Sequence, residues 1–213
     1  EPSYPLLPTI TYISLGCSCL PKFGINDFFS QQPTLFYDWL ITDQQALEQT
    51  INRFDEALFL KEIIPADNGI RLLDTHSRLR FQHEFLSLDN NQKAYPPNAG
   101  DVMEVRIKYL RRRARLLGSV QSSDLCVFFR YEFSAPESFP CYASWLIGLV
   151  SAMRPRKYLI VALGNDMPND QAYPNLISCS IQTDPTQPWK ATEETWKRVR
   201  KEVFDYIGQT LVC

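Results

Sequence analysis

Asp124-Leu-Cys-Val-Phe-Phe-Arg-Tyr131 is apolar at successive positions rather than at alternate ones. That pattern marks a strand buried on both faces of a sheet. Lys157 to Leu163 (KYLIVAL) repeats it and ends at Gly164-Asn165-Asp166. Upstream, Thr9 to Leu15 (TITYISL) is β-branched and aromatic and runs into Gly16, a strand entering a tight loop. Leu176 to Ile181 reads as a shorter strand. Between these runs the periodicity changes to that of helices. One spans about Asp43 to Arg53, with Thr42 or Asp43 as its cap. The others run from Asp101 to Leu117 closed by Gly118, from Glu137 to Met153 stopped by Pro155, and from Thr192 to Ile207 with Gly208 as its stop. The last carries Trp196, Val199, Val203 and Tyr206 on one side. After the Asn68-Gly69 turn, Ile70 to Thr75 and Leu79 to Phe85 read as a β-hairpin. Strands apolar on both faces and separated by helices predict a three-layer α/β fold, a mainly parallel sheet flanked by helices, with the hairpin as an insertion or edge.

The chain's 213 residues correspond to one domain, residues 1–213. Its 22 lysines and arginines against 24 acids give a net charge of −2, which argues against a nucleic-acid partner. No stretch approaches the about 18 apolar residues of a membrane span. The chain opens at Glu1 rather than at methionine, as a trimmed or processed piece would. It has six cysteines: Cys17, Cys19, Cys126, Cys141, Cys179 and Cys213. Cys126 and Cys179 fall in apolar runs, where a thiol behaves as a small hydrophobe. Cys17-x-Cys19 is the one close pair and there are two histidines, so no metal site and no cofactor is expected. A reducing cytoplasm is the expected compartment.

In open α/β sheets, ligands bind at the carboxyl ends of the strands. Those ends carry Gly16-Cys17-Ser18-Cys19, Arg130 and Glu132, and Asn165 and Asp166. Cys19 stands before Leu20-Pro21, a helix start, where the positive end of a helix dipole favours a thiolate. A small buried thiol in a tight turn is the alternative. A base for Cys19 has to be His83 or His76. His83 alternates with Leu79, Phe81 and Phe85 and so points inward, and it is preferred over His76 on the hairpin turn. The Asp101–Leu117 helix places Arg106 and Arg113 within its apolar face, where an arginine needs a carboxylate or a ligand anion. An ion pair, with Asp38 as one candidate partner, and ligand binding both remain open for them.

Ser14-Leu-Gly-Cys-Ser-Cys19 followed by Phe36-Tyr37-Asp38-Trp39 resembles a bacterial family of unknown function described as papain-like cysteine peptidases. Its further motifs appear in order as Phe81-Gln82-His83-Glu84-Phe85, Tyr109 through Leu116, and Phe128-Phe129-Arg130. The resemblance covers about residues 10 to 131. It implies Cys19 as the motif cysteine, His83 as the motif histidine and Asp38 as the acidic position. This chain departs from the motif in inserting Tyr37 before Asp38 and in carrying Glu84 where the family often has aspartate. A papain-like fold places its cysteine on a central helix and its histidine in an antiparallel sheet.

The leading expectation is a cysteine-dependent hydrolase or acyl transferase acting on a peptide, acyl or glycan-type substrate. Cys19 would attack, His83 would act as general base, and Asp38 would orient the imidazole or pair with an inward arginine. N–H groups of the Gly16–Cys19 loop would receive the oxyanion. Gly16, Ser18, Arg113, Arg130, Asn165 and Asp166 are the expected substrate contacts. A second expectation is an SGNH-like ester hydrolase with Ser18 as nucleophile and Asn165 as oxyanion donor. A third is a non-catalytic anion or sugar-nucleotide binding module built on Arg106, Arg113 and Arg130. Catalysis predicts a short distance between the Cys19 sulfur and a His83 nitrogen; the binding module predicts converging arginines. The oligomeric state is not legible.

Overall fold

The computed structural model describes residues 8–85, 95–168, 172–184 and 186–211; Cys213 lies outside them. The first half contains β1 (Ile10–Ser14), α1 (Leu20–Phe28), β2 (Leu40–Ile41), α2 (Gln44–Asn52), β3 (Ile63–Ala66), β4 (Arg71–Asp74) and β5 (Arg80–Phe81). There follow α3 (Ala99–Ser122), β6 (Leu125–Glu132), α4 (Phe139–Ala152) and β7 (Tyr158–Gly164). The chain closes with β8 (Leu176–Ser180), β9 (Thr183–Asp184), β10 (Gln187–Ala191) and α5 (Glu193–Leu211).

The strands apolar on both faces form the centre. A four-stranded sheet runs β1-β6-β7-β8, and every neighbouring pair in it is parallel. Alternate side chains of each strand feed two separate cores, because successive Cβ atoms point to opposite faces. Ile13, Cys126, Phe128, Ile160 and Ala162 pack against α2, α3 and α4 on one face. Tyr12, Val127, Phe129, Leu159 and Val161 pack against α1 and α5 on the other. The fold is the three-layer α/β arrangement predicted from those strands. Where α1 meets α5, a Cβ on Gly24 would lie 1.9 Å from the Trp196 ring, so a side chain larger than hydrogen cannot fit there. Among the described residues no helix is long and apolar enough to cross a membrane.

The expected hairpin is one part of a larger element. β4 and β5 pair antiparallel, with Leu72 opposite Phe81, inside a second four-stranded sheet ordered β2-β5-β4-β3. The sequence reading missed β3 because Pro65 interrupts it. As the outermost strand, β3 tolerates a residue with no N–H to donate. The short β9–β10 pair was also missed, whereas the helix start read at Leu20-Pro21 is the start of α1.

Three helix ends differ from expectation, the first being the start of α3, which begins at Ala99 after the Asn98 cap rather than at Asp101. Gly118 does not close α3, which continues to Ser122. Leu116 and Val120 on either side of it are buried, and that burial outweighs the roughly 1 kcal/mol penalty of a helical glycine. Likewise α5 continues past Gly208 to Leu211, which packs against the core beside Tyr206 and Ile207. The cap of α2 is one of the two read: Asp43 precedes the helix and its carboxylate accepts the Ala46 N–H at 2.8 Å.

Candidate active site

The loop after β1 turns sharply. Gly16 and Cys17 both have left-handed backbone, at φ +78° and +74°. A Cβ on Gly16 would lie 2.6 Å from Thr42 Oγ1, so glycine is required by space as well as by backbone angle. Thr42 secures the turn: its hydroxyl accepts the Cys17 N–H and donates to the Leu15 carbonyl, each at 2.8 Å. Arg130 locks this knot from beneath. Its fully buried guanidinium donates to Glu132, to the Leu15 carbonyl, and to both the hydroxyl and the carbonyl of Thr42. Arg130 is therefore a clamp between β6, the end of β1 and the start of α2, and the expectation that it contacts substrate is corrected: its donors are already engaged.

The turn delivers Cys19 to the residue preceding α1, with Pro21 in the first helical turn. Its Sγ lies 3.4 Å from His83 Nε2. His83 is exposed rather than turned into the core. β5 is only two residues long, and the chain bends after Phe81, with Phe85 at φ +61°, so the alternation that predicted an inward imidazole lapses. Phe81 and Phe85 remain buried and hold the bend in place. The Trp39 ring meets the imidazole edge-on at 6.2 Å. The other histidine, His76, is partly buried in the turn after β4, with no hydrogen-bond partner for its Nε2 among the described residues.

Cys19 and His83 face a cleft of about 510 Å³. Its walls are Leu20, Phe23, Trp39, Ile41, Tyr131 and Phe133, and Ser18, Arg71 and Gln82 supply its remaining polar groups. The cleft opens at the carboxyl ends of β1 and β6, as ligand sites in such sheets do. Burial pushes the Cys19 thiol above its ordinary range, and the nearby Arg71 charge only partly offsets this. Burial therefore works against a preformed thiolate at Cys19. The Gly16 and Cys17 N–H groups are occupied by Ser14 Oγ and Thr42 Oγ1. Among the described residues the N–H groups of Ser18 and Cys19 make no hydrogen bond, so of this loop's N–H groups these two are left to face a ligand.

The remaining expected site residues lie elsewhere. Asp38 does not orient the imidazole and does not pair with an arginine. Its Oδ2 is 3.0 Å from Lys22 Nζ and accepts the Leu35 N–H at 2.9 Å, all of it buried. Arg106 donates to the Glu56 carbonyl at 2.5 Å, and Arg113 pairs with the Glu56 carboxylate at 3.7 Å while lying over the Phe54 ring. These two arginines hold down the segment after α2. They do not converge with Arg130, and Arg113 does not reach the cleft. Asn165 and Asp166 are exposed at the end of β7 and do not line the cleft. Ser18 Oγ accepts the Leu20 N–H at 3.2 Å, which caps the helix rather than arming a serine nucleophile. Glu84 pairs with Lys108 at 2.5 Å and receives the Tyr109 hydroxyl. Among the described residues no group of three or more His, Cys, Asp or Glu could hold a metal ion. Cys17, Cys19, Cys126, Cys141 and Cys179 are free thiols.

Sequence reasoning missed the cleft's walls and Arg71, its one permanent charge among the described residues. Tyr131 and Phe133 sit at the carboxyl end of β6, where the strand-end rule should have included them. Trp39 belongs to a motif already quoted. Arg71 is on β4 and Gln82 lies just after β5, and nothing local announces that they meet. Compared with protein-family models, with curated proteins and with solved structures, the chain matches none.

Proposed function

We propose that the protein is a cysteine-dependent hydrolase or acyl transferase with Cys19 as nucleophile and His83 as its general base. The observation that carries this reading is the 3.4 Å approach of Cys19 Sγ to His83 Nε2 at the mouth of an apolar-walled cleft. Cys19 heads a helix, and His83 follows β5 of an antiparallel sheet. Free thiols suit a reducing compartment such as the cytoplasm.

The steps start from the Cys19 thiol with its proton still on sulfur, the form that burial favours. As Sγ forms its bond to the substrate carbonyl carbon, the thiol proton passes to His83 Nε2 and the carbonyl π electrons move onto oxygen. The Ser18 and Cys19 N–H groups, with the N-terminal end of α1 behind them, stabilise that oxyanion. Collapse expels the leaving group, which takes the proton from His83 and leaves a thioester on Cys19. Water, or an acceptor nucleophile, then gives its proton to Nε2 and attacks the thioester. Breakdown of the second tetrahedral adduct returns the proton to sulfur and releases the product.

The test is acylation by 4-nitrophenyl esters, followed by intact-mass and peptide mapping. The expected result is a thioester on Cys19 that Cys19→Ala abolishes and His83→Ala slows by about 10²- to 10⁴-fold at pH 7. In His83→Ala the rate should rise only as the thiol ionises, above about pH 8.5. Equal acylation of wild type and His83→Ala at pH 7, or labelling that survives Cys19→Ala, overturns the proposal. His83 is exposed, so its replacement leaves the core intact.

A further inference from the structure

The cleft beside Cys19 has an unusual charge distribution. Its walls are aromatic and aliphatic, no carboxylate lines it, and Arg71 is its one permanently charged side chain among the described residues. The guanidinium of Arg71 is held at two of its three nitrogens. Nε donates to Gln82 Oε1 at 2.6 Å and Nη1 to Asp67 Oδ2 at 2.7 Å. Among the described residues Nη2 makes no hydrogen bond, so part of the guanidinium fork keeps donors to offer a ligand. The Asp67 pair is partly exposed on both sides, and ion pairs of that kind bind weakly. It holds the guanidinium in place without cancelling its attraction for a second anion. Arg71 and Cys19 line the same cleft, so an anion held by Arg71 shares that space with the reacting sulfur. The cleft's volume of about 510 Å³ falls in the range of small-molecule sites.

We infer that the cleft takes small amphiphilic acyl compounds, with an apolar or aromatic body between Phe23, Trp39 and Phe133 and an anionic group on Arg71. This inference rests on the proposed cysteine chemistry for its reaction but not for its binding. A carboxylate suits the planar fork of the guanidinium, and a phosphate monoester shares that chemistry. The carboxylate's source is either a free acid or the C-terminus of a peptide.

The experiment is ligand protection of Cys19 against iodoacetamide, read by mass spectrometry and normalised to each variant's own ligand-free rate. The probes are 3-phenylpropanoate, its neutral amide, acetate, phenyl phosphate and the peptide Gly-Gly-Phe. The expected result is half-protection by 3-phenylpropanoate at a concentration at least 10-fold below that of the amide, with acetate ineffective. Arg71→Met should erase the difference between acid and amide while leaving the weak protection by the amide. Protection by phenyl phosphate or by Gly-Gly-Phe comparable with that by 3-phenylpropanoate supports the same site and identifies the anion and its source. Equal protection by acid and amide in wild type, absence of protection by both, or a preference that survives Arg71→Met overturns the inference. Because protection needs no turnover, it can fail while acylation succeeds, and the reverse, so the two proposals fall separately.

Discussion

The Lys22–Asp38 pair offers the sharpest test of how the site is built. The two side chains are 4% and 1% exposed and their charges are 3.0 Å apart. Lys22 is on α1, one turn after Cys19, and also donates to the Gln32 carbonyl at 3.2 Å. Asp38 immediately precedes Trp39, a wall of the cleft. The pair thus ties the helix that presents the thiol to the segment that meets the imidazole. Asp38→Asn keeps an acceptor for the Leu35 N–H but leaves the Lys22 ammonium buried without a counter-charge. Breaking such a pair from one side costs about 3–5 kcal/mol. For a chain of this size that lowers Tm by roughly 6–20 °C, taking 2–4 °C per kcal/mol. The double variant Lys22→Met/Asp38→Asn removes both charges at similar volume and should recover most of that loss. Lys22→Met alone behaves differently with pH. Burial already pushes the Asp38 carboxyl up, and Lys22 is the chief group holding it down. A raised folded-state pKa gives stability that is present at low pH and lost as pH rises through that pKa. Without Lys22 the carboxyl moves further up, so the penalty of this variant shrinks as the solution is acidified. The assay is urea unfolding of the four proteins at pH 5 and pH 8, with Cys19 acylation measured on each folded protein. If Asp38 oriented the imidazole, the double variant would regain stability and still lose acylation. That outcome would refute the structural role assigned to Asp38, whereas acylation within about threefold of wild type would uphold it.

Two further predictions concern the frame around the site. Arg130→Met should cost about 3–5 kcal/mol in urea unfolding, because Glu132 and the carbonyls of Leu15 and Thr42 lose their donor in the interior. Sulfate should not stabilise wild type in a way this variant loses; Arg130-dependent stabilisation would mean the guanidinium serves a ligand after all. At alkaline pH, burial raises the thiols of Cys17 and Cys126 to about 11 and that of Cys179 to about 12. These groups stabilise the fold fully below the ordinary thiol range of about 8.5, and the contribution is lost as pH rises through 11 to 12. Unfolding free energy should therefore fall between pH 9 and pH 11 by up to about 1.4 kcal/mol per pH unit for each titrating thiol. Cys126→Ala should show a shallower fall, and an unchanged stability across that window would contradict the assigned burial.

The continuous apolar runs at 124–131 and 157–163 were enough to determine the parallel sheet, because a strand covered on both faces has no polar face to show. The motif order was likewise enough to single out Cys19 and His83 as a pair worth measuring. Local pattern misled where tertiary burial outweighed it. Gly118 and Gly208 read as helix stops, but Val120 and Leu211 beyond them have core to join. His83 read as inward because alternation was carried past the end of a two-residue strand. The inward arginines and Asp38 read as site residues because sequence reveals that a buried charge needs a partner without revealing which partner. The structure gives Arg130 to Thr42 and Leu15, Arg106 and Arg113 to Glu56, and Asp38 to Lys22, contacts set by how the second sheet and α1 pack on the first. The cleft lies wholly on that side of the division: Arg71, Gln82, Trp39 and Phe133 come from separate segments, and only long-range packing sets their distances from the thiol. Periodicity is written into neighbouring residues, so the sequence alone determined the layers; complementarity between distant residues exists only once the chain has closed, so the tertiary structure decided the site.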